Sequence, residues 1–431
     1  MSKHNTELAQ ITKVLDDFNI NEIGKTSRFC TRKRLIKPFE LVMSLITALG
    51  DKSVDTVTDL HRYFVKLTET DVQYKPFHNQ LSKPAFVKLM KSLVDVALSE
   101  WQQQMLGSEV SLSDFKRIVL QDGSSFAVHD SLKKDFKGRF TKISPAAIEV
   151  HVSWDVLKGY PEQVAVSADS QAEYDFLPDA NTLADTLFLA DRGYFKLSYL
   201  ESIDTAGGFY VVRAKTTVNP TVVAAFNRKG VALKRFTNKK QKDVKKHIRR
   251  SVIVDMDVEG KTNYRLIASW PKGKSEPTYW ATNLSREKFS AEAVIKLYSL
   301  RWQIELLFKE WKSYCNLRKF NTRKATMMEG LVWASLLTLL VKRRIGFSVQ
   351  KLAGIELSTF MVAKNTQGWF YQLMESIIQG VISTLKETWQ KTINFLSKYA
   401  QRANPKRDKK KGRLQCGLKG VFIILCHFSR M

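Results

Sequence analysis

The chain has 431 residues, 44% of them hydrophobic, which is enough to bury a core as one large domain or two to three smaller ones. Sixty-nine lysines and arginines against 42 aspartates and glutamates leave a net charge of +27, the balance of a protein that holds a polyanion; nucleic acid is favoured over a ribosome-like or membrane-surface role. The scattered Cys30, Cys315, Cys416 and Cys426 exclude a disulfide frame and a zinc site, and fit reduced thiols in the cytoplasm.

The opening "MSKHNTELAQ" is polar and does not read as a signal peptide. Residues 1–110 carry helical patterns such as "ELAQITKVLDDF" and "FVKLMKSLVDVALSEWQQQM", separated by polar, basic joints such as "TRKRLIKP" and "YKPFHNQLSKP". Small helices with basic joints suit a DNA-binding module, and a helical packing domain reads much the same. From about residue 115, "FKRIVLQDGSSFAV" and "AAIEVHVSWDVL" predict strands. "TLFLADRGYF" predicts a strand running into a turn, "KLSYLESIDTAG" a helix and "GFYVVRAK" a further strand, together an α/β sheet with packed helices. A second β-rich stretch, 214–285, contains "GVALKRF", "SVIVDMDVEG", "YRLIASW" and "TYWATNL". The basic run "NKKQKDVKKHIRR" inside it reads as a solvated loop or a phosphate contact. Long helices return from about 290 to 400. Among them "GLVWASLLTLLV" is the longest apolar run, too short to span a bilayer and read as a buried helix, so no membrane partner is expected. Residues 405–431 read as a basic tail, "NPKRDKKKGR" leading to an apolar end with no assignment.

The segment "YSLRWQIELLFKEWKSYC" sets a carboxylate among cations. Taken as one helix over 290–313, with Ser290 as N-cap, it brings Tyr298, Arg301, Glu305 and Lys312 within a face about 60° wide, while Leu300, Ile304, Leu307 and Trp311 project elsewhere. A solvated ion-pair face, with Arg301 and Glu305 bridged at i,i+4, is the competing account. It leaves unexplained the tyrosine and the neighbouring Trp302. A carboxylate holding a divalent cation, beside groups that hold phosphate oxygens, explains both. Such a site needs further carboxylates. Asp122 ends the apolar "RIVLQ" before Gly123-Ser124-Ser125, and Asp191 ends "TLFLA" before Arg192-Gly193. Each alone is an ordinary turn residue; with Glu305 they form a set.

Aspartate, aspartate and a helical Y-x-x-R-x-x-x-E-x-x-x-x-x-x-K resemble the DDE transposases of bacterial insertion sequences, specifically the IS-four group. The "QDGSSF" and "DRGYF" motifs agree, and the resemblance covers about residues 115–340. It implies an RNase H-like catalytic core, 111–213 with 286–345, interrupted by a β-rich insertion at 214–285 and flanked by a DNA-binding region (1–110) and a helical region (346–404) for dimerisation. The 114-residue step from Asp191 to Glu305 leaves room for that insertion. It further implies that Asp122, Asp191 and Glu305 are catalytic and hold two Mg2+ ions, for which Mn2+ can substitute, and that Tyr298, Arg301 and Lys312 grip DNA phosphates. Trp302, with Trp280 or Trp270, would stack a flipped base. The implied activity is cut-and-paste transposition: binding terminal inverted repeats, nicking to free a 3′-OH, and joining it to target DNA. The partners are then double-stranded DNA and a second copy of the chain, in a nucleoid-associated cytoplasmic setting. A DNA-binding protein that no longer cuts and a plain metal-dependent nuclease are the alternatives. His129 and His151 are read as structural.

Overall fold

The computed structural model describes residues 3–32, 34–105, 115–247, 252–260, 262–270, 276–317 and 320–402. The basic tail and the end of the basic run at 248–250 lie outside the described residues. Six helices come first: α1 (Lys3–Val14), α2 (Asp17–Thr26), α3 (Pro38–Leu49), α4 (Val57–Thr68), α5 (Tyr74–Leu81) and α6 (Pro84–Met105). Local chemistry sets their starts. Pro38 opens α3, where no amide bond is lost. Thr56 and Asp59 form a reciprocal capping box on α4. The stretch 74–84, expected as a joint, instead contains α5. Its Pro76 lies in the first turn, whose amides have no helical acceptor, so the ring breaks nothing.

β1 (Arg117–Ala127), β2 (Ala147–Asp155), β3 (Tyr160–Ala168), β4 (Thr186–Ala190) and β5 (Phe209–Arg213) follow, with α7 (Leu197–Thr205) between the last two. They stand in the order β3-β2-β1-β4-β5. The β3-β2-β1 ladder is antiparallel, and β4 and β5 run parallel to β1 and to each other. β3 was not legible as a strand because its central residues are polar or half-exposed.

The second β-rich stretch continues the same sheet. It comprises β6 (Thr221–Asn227), β7 (Lys239–Lys240), β8 (Ile253–Glu259), β9 (Tyr264–Ser269) and β10 (Thr278–Thr282). β10 pairs antiparallel with β5, and β9, β8, β6 and β7 follow outward. Two expectations change here. "GVALKRF" forms an isolated bridge and a 3-10 turn, and the strand precedes it in "TVVAAFN". Within the basic run, Gln241–His247 forms the short helix α8.

The chain ends in α9 (Ala291–Tyr298), α10 (Trp302–Tyr314), α11 (Ala325–Ala353), α12 (Thr359–Lys364), α13 (Phe370–Gln379) and α14 (Ile382–Tyr399). The single helix expected over 290–313 is broken by a 3-10 turn at Ser299–Arg301. One hydrophobic core joins the N-terminal helices, one face of the sheet and the C-terminal helices, from Leu8 through Leu120 and Ile304 to Leu396. A second core covers the other face, with Val119, Phe188 and Tyr194.

α11 is the one helix among the described residues long and apolar enough to cross a membrane, but most of it is buried inside the protein. It also carries buried charge. Lys342 donates to the carbonyls of Gly50 (3.2 Å) and Tyr314 (2.7 Å), at the ends of α3 and α10. A cation suits those carbonyl ends. Arg343 pairs with Glu310 of α10 at 2.7 Å, and both are buried. Arg344 bonds Gln10 of α1 at 2.6 Å.

Candidate active site

Strand register brings the two aspartates together. Gln121 of β1 lies beside Ala190 of β4 in a parallel pair, so the next residues, Asp122 and Asp191, are lateral neighbours. Side chains alternate along a strand. Leu120 and Leu189 enter the core beneath the C-terminal helices, and Asp122 and Asp191, two residues on, emerge on that same face. Asp191 follows β4 and opens a 3-10 turn, as its sequence predicts. Asp122 does not end its strand: β1 continues to Ala127. Gly123 marks a close approach rather than a turn: a Cβ there would meet Glu149 Oε1 at 2.6 Å, and that carboxylate would have to shift.

α10 supplies the third carboxylate. Leu300, Ile304, Leu307 and Trp311 are fully buried, which seats this segment on the sheet and turns Glu305 toward the aspartates. Arg301 ties the group together: Nη1 donates to Asp122 Oδ2 at 2.6 Å and Nη2 donates to Glu305 Oε1. Tyr298 Oη donates to Asp191 Oδ1 at 3.2 Å, and Arg213 Nη1 lies 3.9 Å from the same oxygen. Lys312 donates to the carbonyl of Ser125, further along β1, at 2.8 Å. Thus the ion pair between Arg301 and Glu305 exists, but it is not on a solvated face. It closes over Asp122.

The electrostatics follow from burial. Loss of water raises the Asp122 carboxyl to about 6; Arg301 pulls it down, and the charges of Asp191 and Glu305 push it further up. Asp191 and Glu305 thus lie near enough for their charges to be felt at Asp122. Among the described residues, no three histidine, cysteine, aspartate or glutamate side chains form a ready metal cage. The Arg301 guanidinium lies between Asp122 and Glu305. The donor set itself is oxygen only, the chemistry of a hard divalent cation, and it carries more negative charge than one guanidinium neutralises.

The tryptophans separate. Trp302 opens α10 and is 53% exposed. Trp280 is 7% exposed and meets Tyr298 edge-on at 6.1 Å, so the expected stacking platform is a core ring that steadies the tyrosine. Trp270 packs, half-buried, against the second core. His151 is buried against Phe176, with ring centroids 3.9 Å apart, and burial lowers its pKa to about 4. His129 accepts from Arg323 Nε at 3.2 Å.

The family described as "Transposase DDE domain" matches residues 113–341, more than half of the chain. The chain belongs to the DDE transposases. It is 23% identical over 425 residues to the transposase for insertion sequence element IS1151 of Clostridium perfringens, covering 88% of this chain and 90% of that one. It is also 23% identical over 410 residues to the transposase for IS231F of Bacillus thuringiensis subsp. israelensis, covering 83% and 84%. The transposase for IS231B of Bacillus thuringiensis subsp. berliner is 22% identical over 425 residues, covering 88% and 86%.

Sequence reasoning missed the back of the site in this transposase. Arg139 bonds Glu149 and Glu173, each at 3.0 Å. Glu149 presses on Gly123, and a Cβ at Gly193 would run into Glu173. One guanidinium therefore braces the backbone behind both aspartates. The available signal was weak: a glycine after each aspartate, which reads equally well as a turn. Arg213, at the end of β5, was missed for want of any motif around it.

Proposed function

We propose that this transposase binds the terminal inverted repeats of its insertion sequence, cleaves the DNA ends by metal-dependent phosphoryl transfer, and joins the freed 3′-OH ends to target DNA. The carrying observation is that Arg301 bonds both Asp122 and Glu305, while Tyr298, three residues before it, bonds Asp191, the lateral neighbour of Asp122. The order β3-β2-β1-β4-β5, with three antiparallel strands followed by two parallel ones, supports an RNase H-like core at 111–213 and 286–345. On this reading 214–285 is an insertion that lengthens the core's own sheet, 1–110 binds DNA, and 346–404 serves a homodimer that pairs two ends in the cytoplasm.

DDE transposase domains generally use divalent metal ions. Asp122, Asp191 and Glu305 would hold them here, Mg2+ by preference with Mn2+ as substitute. The chemistry that metal held there would supply is activation of the attacking oxygen and stabilisation of the leaving 3′ oxygen. Arg301 exchanges its carboxylate bonds for phosphate oxygens, its fork suiting either partner. The Tyr298 hydroxyl and Lys312 hold neighbouring phosphates, and Trp302 offers a face on which a displaced base stacks.

The deciding experiment incubates the full chain with labelled duplex carrying its element's terminal repeat, plus target DNA and Mg2+. Nicked and joined products are expected. Cutting without preference for the repeat, and without joining, would make the chain a plain nuclease; binding without any cut would make it an inert binder. A second expectation concerns Lys312→Ala. Binding should weaken on any duplex, and the slope of log K against log salt should fall by about one. An unchanged slope removes Lys312 from the phosphate contacts.

A further inference from the structure

The N-terminal helices present a surface that the active-site chemistry does not use. Residues 69–73 join α4 to α5, and Glu69 closes α4 in the left-handed region at φ 53°. Phe64 and His61 of α4 pack on Phe77 of α5, with ring centroids 5.6 and 5.3 Å apart. Phe77 and Leu81 are fully buried, and Gln80 donates to Phe29 O at 3.1 Å, so the inner side of α5 is fixed. At ~100° per residue, Tyr74, His78, Lys75 and Asn79 occupy an arc of about 140° on the outer side. Tyr74, Lys75 and Asn79 are exposed. Among the described residues, the Tyr74 hydroxyl, the Lys75 ammonium and the Asn79 amide make no hydrogen bond.

We infer that α5 enters the major groove of duplex DNA and reads bases there, with Lys75 and Asn79 setting specificity. The inference rests on the reading of this chain as a DNA-end binder. Two helices joined by a short turn, the second with a polar outer face, form the arrangement in which the second helix lies in the groove. Eight residues give a helix about 12 Å long, and its width, also near 12 Å, matches the groove. The side-chain chemistry is of the right kind: an asparagine amide pairs in two places with adenine, and a lysine donates to guanine O6 and N7. The Tyr74 hydroxyl is placed for a phosphate. Charge agrees, since residues 66–91 hold five lysines against two acids.

α5 is also tied toward the catalytic side. Thr326 donates to the carbonyl of Ser82, the C-cap of α5, at 2.7 Å. Three residues earlier, Arg323 bonds His129, just beyond the strand that carries Asp122. A base sequence held by α5 would therefore fix where the scissile phosphate falls.

The test measures binding of the full chain, by fluorescence anisotropy at fixed salt, to a duplex of the terminal repeat and to a scrambled duplex of equal length. Asn79→Ala and Lys75→Ala should each cut the preference for the repeat roughly ten- to a hundredfold, with Asn79→Ala leaving scrambled-duplex affinity unchanged. The melting temperature should not move, because both side chains are exposed. Variants that keep the unsubstituted preference overturn the assignment of α5 while leaving DNA-end binding intact. An unsubstituted chain with no preference for the repeat defeats the end-binding reading itself, and the inference with it.

Discussion

Asp122→Asn, Asp191→Asn and Glu305→Gln should each reduce DNA strand cleavage by about a thousandfold or more while end binding persists. Each exchange keeps the shape of the side chain and removes the charge that would hold a cation. If these carboxylates hold the ions, losing one would weaken the stabilisation of the attacking or leaving oxygen; a thousandfold corresponds to about 4 kcal/mol of barrier. Binding is spared because the loss is of negative charge, which opposes phosphate. The largest loss is expected at Asp122. It is the most enclosed, and burial together with its two acidic neighbours already holds its pKa near 6. Single-turnover nicking of labelled end DNA in Mg2+ reads the effect. Near-normal cutting by any one variant would falsify the triad.

Arg343→Met should destabilise the protein by about 3–5 kcal/mol, the cost of stranding one charge of a buried pair. Glu310 is fully buried, and one carboxylate oxygen accepts from Arg343 Nε and Nη2 at 2.9 and 2.7 Å. Its other oxygen accepts from Thr359 at 2.6 Å, which cannot replace a cation. The double variant Arg343→Met, Glu310→Met should recover most of the loss, because two apolar side chains of similar volume need no partner. Urea unfolding of the single and double variants measures both values. A single variant as stable as the unsubstituted chain would mean that the pair holds nothing. The pair matters to the site because Glu310 and Glu305 lie on the same helix, and Trp311 adds a bond to Ser335 of α11 at 2.7 Å. Loosening α10 should therefore depress cleavage as well as stability.

The grouping of residues at the candidate site was legible because its signals are local. An apolar strand ending near a carboxylate, and a tyrosine, arginine and glutamate at helical spacing, are patterns of a few residues. The parts that were not legible depend on partners distant in the chain. Gly123 reads as a turn until Glu149, on the neighbouring strand, is seen against it. The stripe on α10 was drawn on an unbroken helix. The 3-10 turn at Ser299–Arg301 alters the angles, yet Arg301 reaches Asp122 and Glu305 all the same. Trp280 resembles a platform in sequence, but its strand pairs with β5 and carries the ring into the core. Nothing in 214–285 announces that its strands prolong an existing sheet, because the joining pair, β5 and β10, lies about 70 residues apart.

α11 packs against α1, α3, α5 and α6 on one side of the sequence and α10, α12 and α14 on the other, so the six N-terminal helices have no separate interior. Removing that helical segment would therefore lay bare the same α11 that backs α10, and the fold of the candidate site should be lost along with it.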